Sequence, residues 1–195
     1  MKKIIFFSLV LTIVLSISSC QTRKVTRVDP GTTIDLSGRW NDADARMTGE
    51  AMIDEALGNR WLTDFEQAKS RKPVVIVGFV KNKTNEHIDA EPFLKDLERA
   101  FIQSARVRVV QSGEKRDAIR GERADQQEYA ATETIKKWGR EVGADFMLQG
   151  SINQIVDSYN NERVNFYQVN LELTNLETNE IVWIGQKKLK KYVNK

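Results

Sequence analysis

The chain is poor in the residues on which most site chemistries depend. It holds one Cys and one His among 195 residues, with only 3 Pro and 11 Gly. A single Cys excludes a disulfide scaffold and a cysteine-rich metal site, and a single His excludes any site that needs two imidazoles. The low Pro and Gly content, with 41% hydrophobic and 29% charged residues, excludes a collagen-like or wholly disordered chain.

An excess of charge of one sign is missing as well. The chain carries 30 Lys and Arg against 27 Asp and Glu, a formal net charge of +3. Lys2 and Lys3 lie in a segment predicted to be removed, and without them the net charge is about +1. This balance gives no reason to expect a nucleic-acid partner.

The N-terminus has the pattern of a signal peptide. Two lysines follow Met1, and the 14 residues Ile4–Ile17 are apolar except for three hydroxyl side chains. A bilayer-spanning helix needs about 20 apolar residues, so this run suits the apolar region of a signal peptide better. A buried core helix is the alternative, but the run lies at the extreme terminus and has no polar face. We predict a lipoprotein signal peptide over residues 1–19.

The sequence Ile17-Ser18-Ser19-Cys20 resembles a bacterial lipobox, in which an aliphatic residue and two small residues precede the lipidated cysteine. We therefore predict lipidation of Cys20, and the alternative is ordinary secretory cleavage that leaves a free thiol. Two or more acyl chains give stable membrane anchoring. The next residue is Gln21 and not Asp, which resembles enteric lipoproteins sorted to the outer membrane. The expected location is the outer membrane, lipid-anchored and facing the periplasm.

A polar segment and then one folded domain follow the predicted cleavage site. Residues 20–40 lack sustained periodicity and predict a lipidated flexible tether, which extends to at most ~70 Å. Residues 41–195 predict a single globular domain. Its first helix runs from a cap at Asn41 or Asp42 through Leu57, and a second, short helix contains Trp61, Leu62 and Phe65.

The rest of the domain alternates between strands and helices before it ends in three consecutive strands. In Tyr167–Leu173 apolar and polar residues alternate, which indicates a strand with one buried face. The pattern predicts an α/β fold: a mixed β-sheet of four to five strands flanked by about four helices. Predicted strands are 73–80, 107–110, 146–156, 164–173 and 181–189; predicted helices are 89–102, 114–127 and 132–142. Predicted core residues are Val75, Val77, Leu97, Phe101, Trp138, Leu148, Val169, Leu171 and Trp183.

Catalytic motifs are missing from this pattern. The chain has no glycine-rich phosphate loop, no nucleophile elbow and no His/Cys cluster for zinc, and His87 stands alone in a polar loop. Carboxylate pairs have basic neighbours and are interpreted as solvated faces. They are Asp42 with Asp44, Asp54 with Glu55, and Glu141 with Asp145. The C-terminal lysines indicate an edge strand or tail that is protected against aggregation, or a contact to anionic headgroups or wall polymers. We expect that the protein is not an enzyme and that it binds no cofactor, no metal ion and no small-molecule substrate.

Three stretches of the domain resemble the LpoB family. They are Val74–Asp89, Thr134–Gly150 and Gln168–Gln186, and together they span residues 73–190 in order. The resemblance implies a small α/β fold similar to the N-terminal domain of TolB. It also implies an outer-membrane lipoprotein that binds and activates a class A penicillin-binding protein, a peptidoglycan synthase. The alternative is a non-enzymatic accessory lipoprotein of an envelope secretion or assembly complex. The tether here is shorter and poorer in proline than in enteric members of the family.

A polar loop after the first predicted strand is the candidate contact surface. Asn82, Lys83, Thr84 and Asn85 follow a buried strand directly, so a rigid element would hold them in place. Their amide and hydroxyl groups offer hydrogen-bond donors and acceptors to a partner. The alternative is a structural turn in which Asn and Thr satisfy the local backbone.

Overall fold

The structure is a computed structural model, and it describes residues 24–130 and 141–194. The predicted signal peptide, Cys20 and Trp138 lie outside the described residues, as does most of the helix predicted over residues 132–142. Glu141 and Val142, the end of that predicted helix, are not helical. The helices are α1 Asp42–Gly58, α2 Arg60–Lys69, α3 Glu91–Gln103 and α4 Gly113–Tyr129; the strands are β1 Val74–Lys83, β2 Arg108–Val110, β3 Phe146–Tyr159, β4 Glu162–Asn175 and β5 Ile181–Asn194.

Side chains at the predicted cap start α1. The Asn41 side chain accepts a hydrogen bond from the Asp44 N–H at 3.0 Å, and the Asp44 carboxylate accepts one from the Asn41 N–H at 3.0 Å. This reciprocal capping box satisfies two backbone donors that the first turn cannot pair. It confirms the predicted helix start.

The start of α3 differs from its prediction by one residue. Asp89 was expected as the N-cap, but the N-cap is Ala90, which makes no side-chain cap bond. The Asp89 carboxylate still accepts a hydrogen bond from the Glu91 N–H at 2.9 Å. Pro92 lies in the first turn, as expected, because its missing N–H costs nothing there.

The five strands of the described residues form one mixed sheet in the order β2-β1-β3-β4-β5. β1 pairs with β2 and β3 in parallel, and β3, β4 and β5 form an antiparallel meander. With the four helices, this confirms the predicted α/β class. The long strands run further than their apolar patterns, because backbone pairing continues into polar residues. β1 extends through Asn82 and Lys83, which pair with Ile152 and Asn153, so the turn predicted to begin at Asn82 starts later.

The hydrophobic core lies on one face of this sheet. α1 packs against α3 and β5, and α3 contacts β1 and β2. The predicted core residues among the described ones are confirmed as buried: Val75, Val77, Leu97, Phe101, Leu148, Val169, Leu171 and Trp183. The polar residues that alternate with them point to the other face.

Residues 24–32 belong to one compact unit, and residue 33 begins the other unit. In the first, all described side chains are exposed, and the Thr32 N–H donates to the Asp29 carbonyl at 2.9 Å in a turn. Residues 33–40, which the sequence pattern placed in the tether, belong to the unit that contains the domain. We call residues 33–40 the strap. Within the described ranges, no helix has the length and apolarity to cross a membrane.

Candidate functional site

The candidate loop after β1 is held closed by two of its own four side chains. The Asn82 amide donates to the Glu86 carbonyl at 2.7 Å, and its oxygen accepts from the Thr84 N–H at 2.9 Å and the Thr84 hydroxyl at 2.7 Å. The Thr84 hydroxyl also accepts from the Glu86 N–H at 3.0 Å. These bonds use the groups of Asn82 and Thr84 inside the loop, as a structural turn requires.

The other two side chains of this loop lie open to solvent. Lys83 and Asn85 are exposed, and the Asn85 N–H donates to the Gln154 side chain at 3.3 Å, which ties the loop to β3. The structure therefore brings all four candidate residues together but divides their roles. Asn82 and Thr84 shape the loop, and Lys83 and Asn85 present polar groups outward. Contact between these residues and a partner stays a prediction.

Glu86 lies beside His87 in the loop that the sequence predicts to be polar, and its carboxylate connects the strap, β3 and β4. Its Oε1 accepts hydrogen bonds from the Tyr167 hydroxyl and the Gln154 amide, each at 2.6 Å. Its Oε2 accepts the Trp40 N–H at 3.1 Å, and the rings of Trp40 and Tyr167 meet edge to face at 5.6 Å. Burial, followed by the hydrogen bond to Glu86, raises the pKa of Tyr167. The inward position of Tyr167 on β4 was the available signal, because a buried tyrosine hydroxyl needs a partner.

A polar surface extends from the loop across the sheet. Side chains of paired residues point to the same face, so the pairs Lys83 with Asn153 and Asn153 with Gln168 place three strands on one surface. We call this surface the open face. It comprises Lys81, Lys83, Gln149, Ser151, Asn153, Gln168, Asn170, Glu172, Gln186 and Lys188, all half-buried or exposed.

Hydrogen bonds between amides order the centre of the open face. The Asn170 side-chain oxygen accepts from the Gln168 amide at 3.1 Å and from the Gln186 amide at 3.0 Å. Asn153 donates to the Ser151 hydroxyl at 3.1 Å. Lysines stand on both sides of these amides, on β1 and on β5. The arrangement suits a polar partner surface that carries carboxylates. The lysines attract carboxylates, and the amides offer both hydrogen-bond donors and acceptors.

Asp44 is not solvated, contrary to the sequence-based interpretation, because it pairs with Lys191. Asp44 is only 3% exposed, and the Lys191 Nζ lies 2.6 Å from its Oδ2 and 2.5 Å from Oδ1 of Asp35 in the strap. The reason is the position of Lys191 on the inward face of β5, next to the first turn of α1. Burial opposes the charge of Lys191, but the hydrogen bonds to Asp35 and Asp44 outweigh it and raise the pKa of the ammonium group.

The strap has two further bonds to the sheet. The buried Asn165 side chain donates to the Gly38 carbonyl at 2.7 Å, and the Lys191 Nζ donates to the Arg39 carbonyl at 3.1 Å. Together with the Trp40 bond to Glu86, they hold the segment along its length. The strap is therefore an ordered part of the domain.

Asp145 also has a structural partner set, so the solvated interpretation of Glu141 with Asp145 is wrong for Asp145. Its carboxylate accepts hydrogen bonds from both terminal nitrogens of the Arg71 guanidinium group, at 2.8 and 2.7 Å, and from the Val74 N–H at 2.8 Å. It fastens the start of β3 to the start of β1. Among the described residues, no group of three or more His, Cys, Asp or Glu could hold a metal ion.

Comparison with solved structures finds several proteins of low sequence identity. The C-terminal domain of LpoB from Escherichia coli shares 20% identity, covers 72% of this chain and 96% of its own, and has a TM-score of 0.40. The corresponding domain from Salmonella enterica shares 19% identity, with 66% and 91% coverage and a TM-score of 0.37. Lipoprotein GNA1162 from Neisseria meningitidis shares 13% identity, with 63% and 84% coverage and a TM-score of 0.37.

A comparison with curated proteins finds no match. The sequence model of the family described as peptidoglycan-synthase activator LpoB matches residues 44–189, which is well over half of the chain and includes the loop, the open face and most of the sheet. The chain therefore belongs to the LpoB family of peptidoglycan-synthase activators.

Proposed function

We propose that this protein is an outer-membrane lipoprotein that binds a class A penicillin-binding protein and activates it, and thereby regulates peptidoglycan synthesis. The observation that carries the proposal is the match of residues 44–189 to the family of peptidoglycan-synthase activators. The predicted lipobox at Cys20 supports the membrane location. The partner chemistry follows from the family and from the polar character of the open face.

The proposed activation is a binding effect and not a chemical step of this chain. A regulator shifts a synthase toward its active conformation only if it binds that conformation more tightly than the inactive one. The domain needs an ordered surface for this and no catalytic group of its own. We therefore propose that the protein is not an enzyme.

We place the contact at Lys83 and Asn85 together with the adjoining amides of the open face. Lys83 lies on the open face and its backbone pairs with Asn153, so the loop and the amide surface form one continuous area. Asn82 and Thr84 keep the loop in shape from inside. A partner that docks here would meet a preformed surface, which lowers the entropy cost of binding.

The test uses the acylated full chain and a class A synthase from the same organism. Binding is measured by co-purification, and activation by the rate at which the synthase polymerises lipid-linked disaccharide. The double substitution Lys83→Glu with Asn85→Ala is expected to abolish stimulation and to leave the melting temperature unchanged, because both side chains are exposed. Lys72→Glu is the matched control, since it reverses an exposed charge just before the other end of β1.

Two outcomes decide between contact and structure. If the double variant melts earlier but the folded fraction still stimulates the synthase, the loop is a structural turn and the contact lies elsewhere. If the unaltered chain neither binds nor stimulates any class A synthase of its organism, the proposed function is wrong. The accessory role in an envelope assembly complex then takes its place.

A further inference from the structure

Exposed apolar and aromatic side chains gather at one end of the sheet. Leu36 in the strap is 93% exposed, Tyr159 at the end of β3 is 76% exposed, and Tyr192 near the end of β5 is 60% exposed. Leu36 lines a groove of about 720 Å³ together with the β3–β4 turn and the last residues of β5. Tyr159 pairs with Glu162, and the Glu162 carboxylate accepts a hydrogen bond from the Tyr192 hydroxyl. We call Leu36, Tyr159 and Tyr192 the tip.

We propose that the tip is a membrane-docking surface that lies against the phospholipid headgroups of the bilayer that holds the tether. Exposed apolar side chains gathered in one place mark an interaction site on a soluble domain. Tyrosine combines an apolar ring with a polar hydroxyl and is therefore suited to the boundary between headgroups and acyl chains. The exposed cations Lys190 and Arg39 lie beside the tip in sequence and match anionic headgroups in charge.

The strap holds Leu36 in place for such a contact. The residue lies between Asp35, which pairs with Lys191 at 2.5 Å, and Gly38, whose carbonyl accepts the Asn165 amide at 2.7 Å. Ordering the backbone on both sides of Leu36 lowers the entropy cost of binding a surface. The strap therefore holds the exposed Leu36 side chain in a fixed position for contact with the bilayer.

The length of the tether identifies the membrane as the occupant. The chain takes thirteen steps from Cys20 to Thr33, where the domain unit begins, and a stretch of that length reaches at most ~45 Å when fully extended. With Cys20 acylated, the tip is the end of the domain into which the tether leads. Leu176, an exposed apolar residue in the β4–β5 turn, lies about 45 Å from the tip along β4, because each strand residue advances the chain by about 3.4 Å. The strands would thus lead away from the bilayer and leave the open face accessible.

The test measures the depth of single positions in a bilayer. The acylated full chain is reconstituted in vesicles of phosphatidylethanolamine and phosphatidylglycerol at 3:1, with an environment-sensitive fluorophore on Tyr159→Cys. Leu176→Cys with the same label is the control at the far end. Quenching by headgroup nitroxides is expected to be at least about threefold stronger at position 159, because an interfacial side chain lies within about 10 Å of the headgroups.

A second variant links the signal to the tip. Leu36→Asp with Tyr192→Asp is expected to reduce quenching at position 159 to the level at position 176, with an unchanged melting temperature because both side chains are exposed. Equal quenching at positions 159 and 176 in the parent chain would overturn the proposal. So would a fluorophore at 159 that becomes shielded in detergent as protein concentration rises, since that indicates a second copy as the occupant. Shielding only after addition of a synthase would assign the tip to that partner. None of these readings depends on stimulation of a synthase.

Discussion

The Nζ of Lys191 lies 2.6 Å from Oδ2 of Asp44, and this contact joins the last strand of the domain to its first helix. The same Asp44 carboxylate caps α1, and the same Lys191 holds Asp35 of the strap. One buried ion pair therefore connects the N-terminal and C-terminal parts of the domain. Replacing one partner of the pair is expected to destabilise the domain, because it leaves the other charge buried and uncompensated.

Lys191→Met is expected to lower the free energy of unfolding by about 3 kcal/mol, because it leaves the buried Asp44 carboxylate without its cation. Chemical denaturation monitored by tryptophan fluorescence measures the change. Lys188→Met on the exposed side of the same strand is the control and is expected to have little effect. Equal unfolding midpoints for the two variants would show that the Asp44 pair contributes nothing.

Tyr167→Phe is expected to cost about 2 kcal/mol, because Glu86 loses a charge-assisted hydrogen bond inside the domain. Tyr159→Phe removes an exposed hydroxyl from the neighbouring strand and serves as the control. The measurement is the difference in unfolding free energy between the two variants. The prediction fails if the hydroxyl of Tyr167 proves as dispensable as that of Tyr159.

Asp145 is expected to make stability depend on pH in the acid range. Burial alone would raise its pKa, but the hydrogen bonds from Arg71 and the Val74 N–H outweigh burial and lower it below the ordinary value of 3.8. A carboxyl with a lowered folded pKa stabilises the fold above its ordinary value, and this contribution is lost as pH falls through the folded pKa.

The measurement is the melting temperature of the parent chain and of Asp145→Asn between pH 7 and pH 2. The gap between the two is expected to be constant at neutral pH and to close below about pH 4. Asp125→Asn, on the exposed α4, is the control and is expected to show no such gap. A gap of constant size down to pH 2 would contradict the role given to Asp145.

Substitution by alanine is expected to destabilise the fold at Gly150 and to stabilise it at Gly121. A Cβ at Gly150 would lie 2.2 Å from the Asn170 carbonyl oxygen, so Gly150→Ala forces β3 and β4 apart and is expected to cost about 3 kcal/mol or prevent folding. A Cβ at Gly121 in α4 would meet nothing within 4 Å, so Gly121→Ala is expected to stabilise by about 0.5–1 kcal/mol. Thermal unfolding of both variants checks the pair, and a neutral Gly150→Ala would show that the strands separate easily.

Cys20→Ala is expected to abolish lipidation and to move the protein to the soluble periplasmic fraction or leave it unprocessed. The reason is that the thiol is the proposed acceptor of the lipid in the Ile17–Cys20 lipobox. Metabolic labelling with a fatty acid and fractionation of the membranes are the measurements. Label retained by the variant would rule out this cysteine as the lipid attachment site.

Local patterns were sufficient to predict the class of fold. The alternation in β4 and the cap at Asn41 each depend on a few neighbouring residues, and burial of one face imposes a period that is readable along the chain. The same patterns predicted the core, since Leu148 and Leu171 occupy inward positions of adjacent strands. The polar loop at Asn82–Asn85 was also predicted, although not the division of its side chains between shape and exposure.

Tertiary structure alone decided where the polar groups go. Lys191 and Asp35 are 156 positions apart in sequence, and Tyr167 and Glu86 are 81 apart, so no local period connects them. Strand ends were misjudged for the same reason: Lys83 belongs to β1 because its backbone pairs with Asn153. Hydrophobic burial leaves a regular trace in sequence because it acts on whole faces, whereas a buried hydrogen bond or ion pair depends on two residues that only the folded chain brings together.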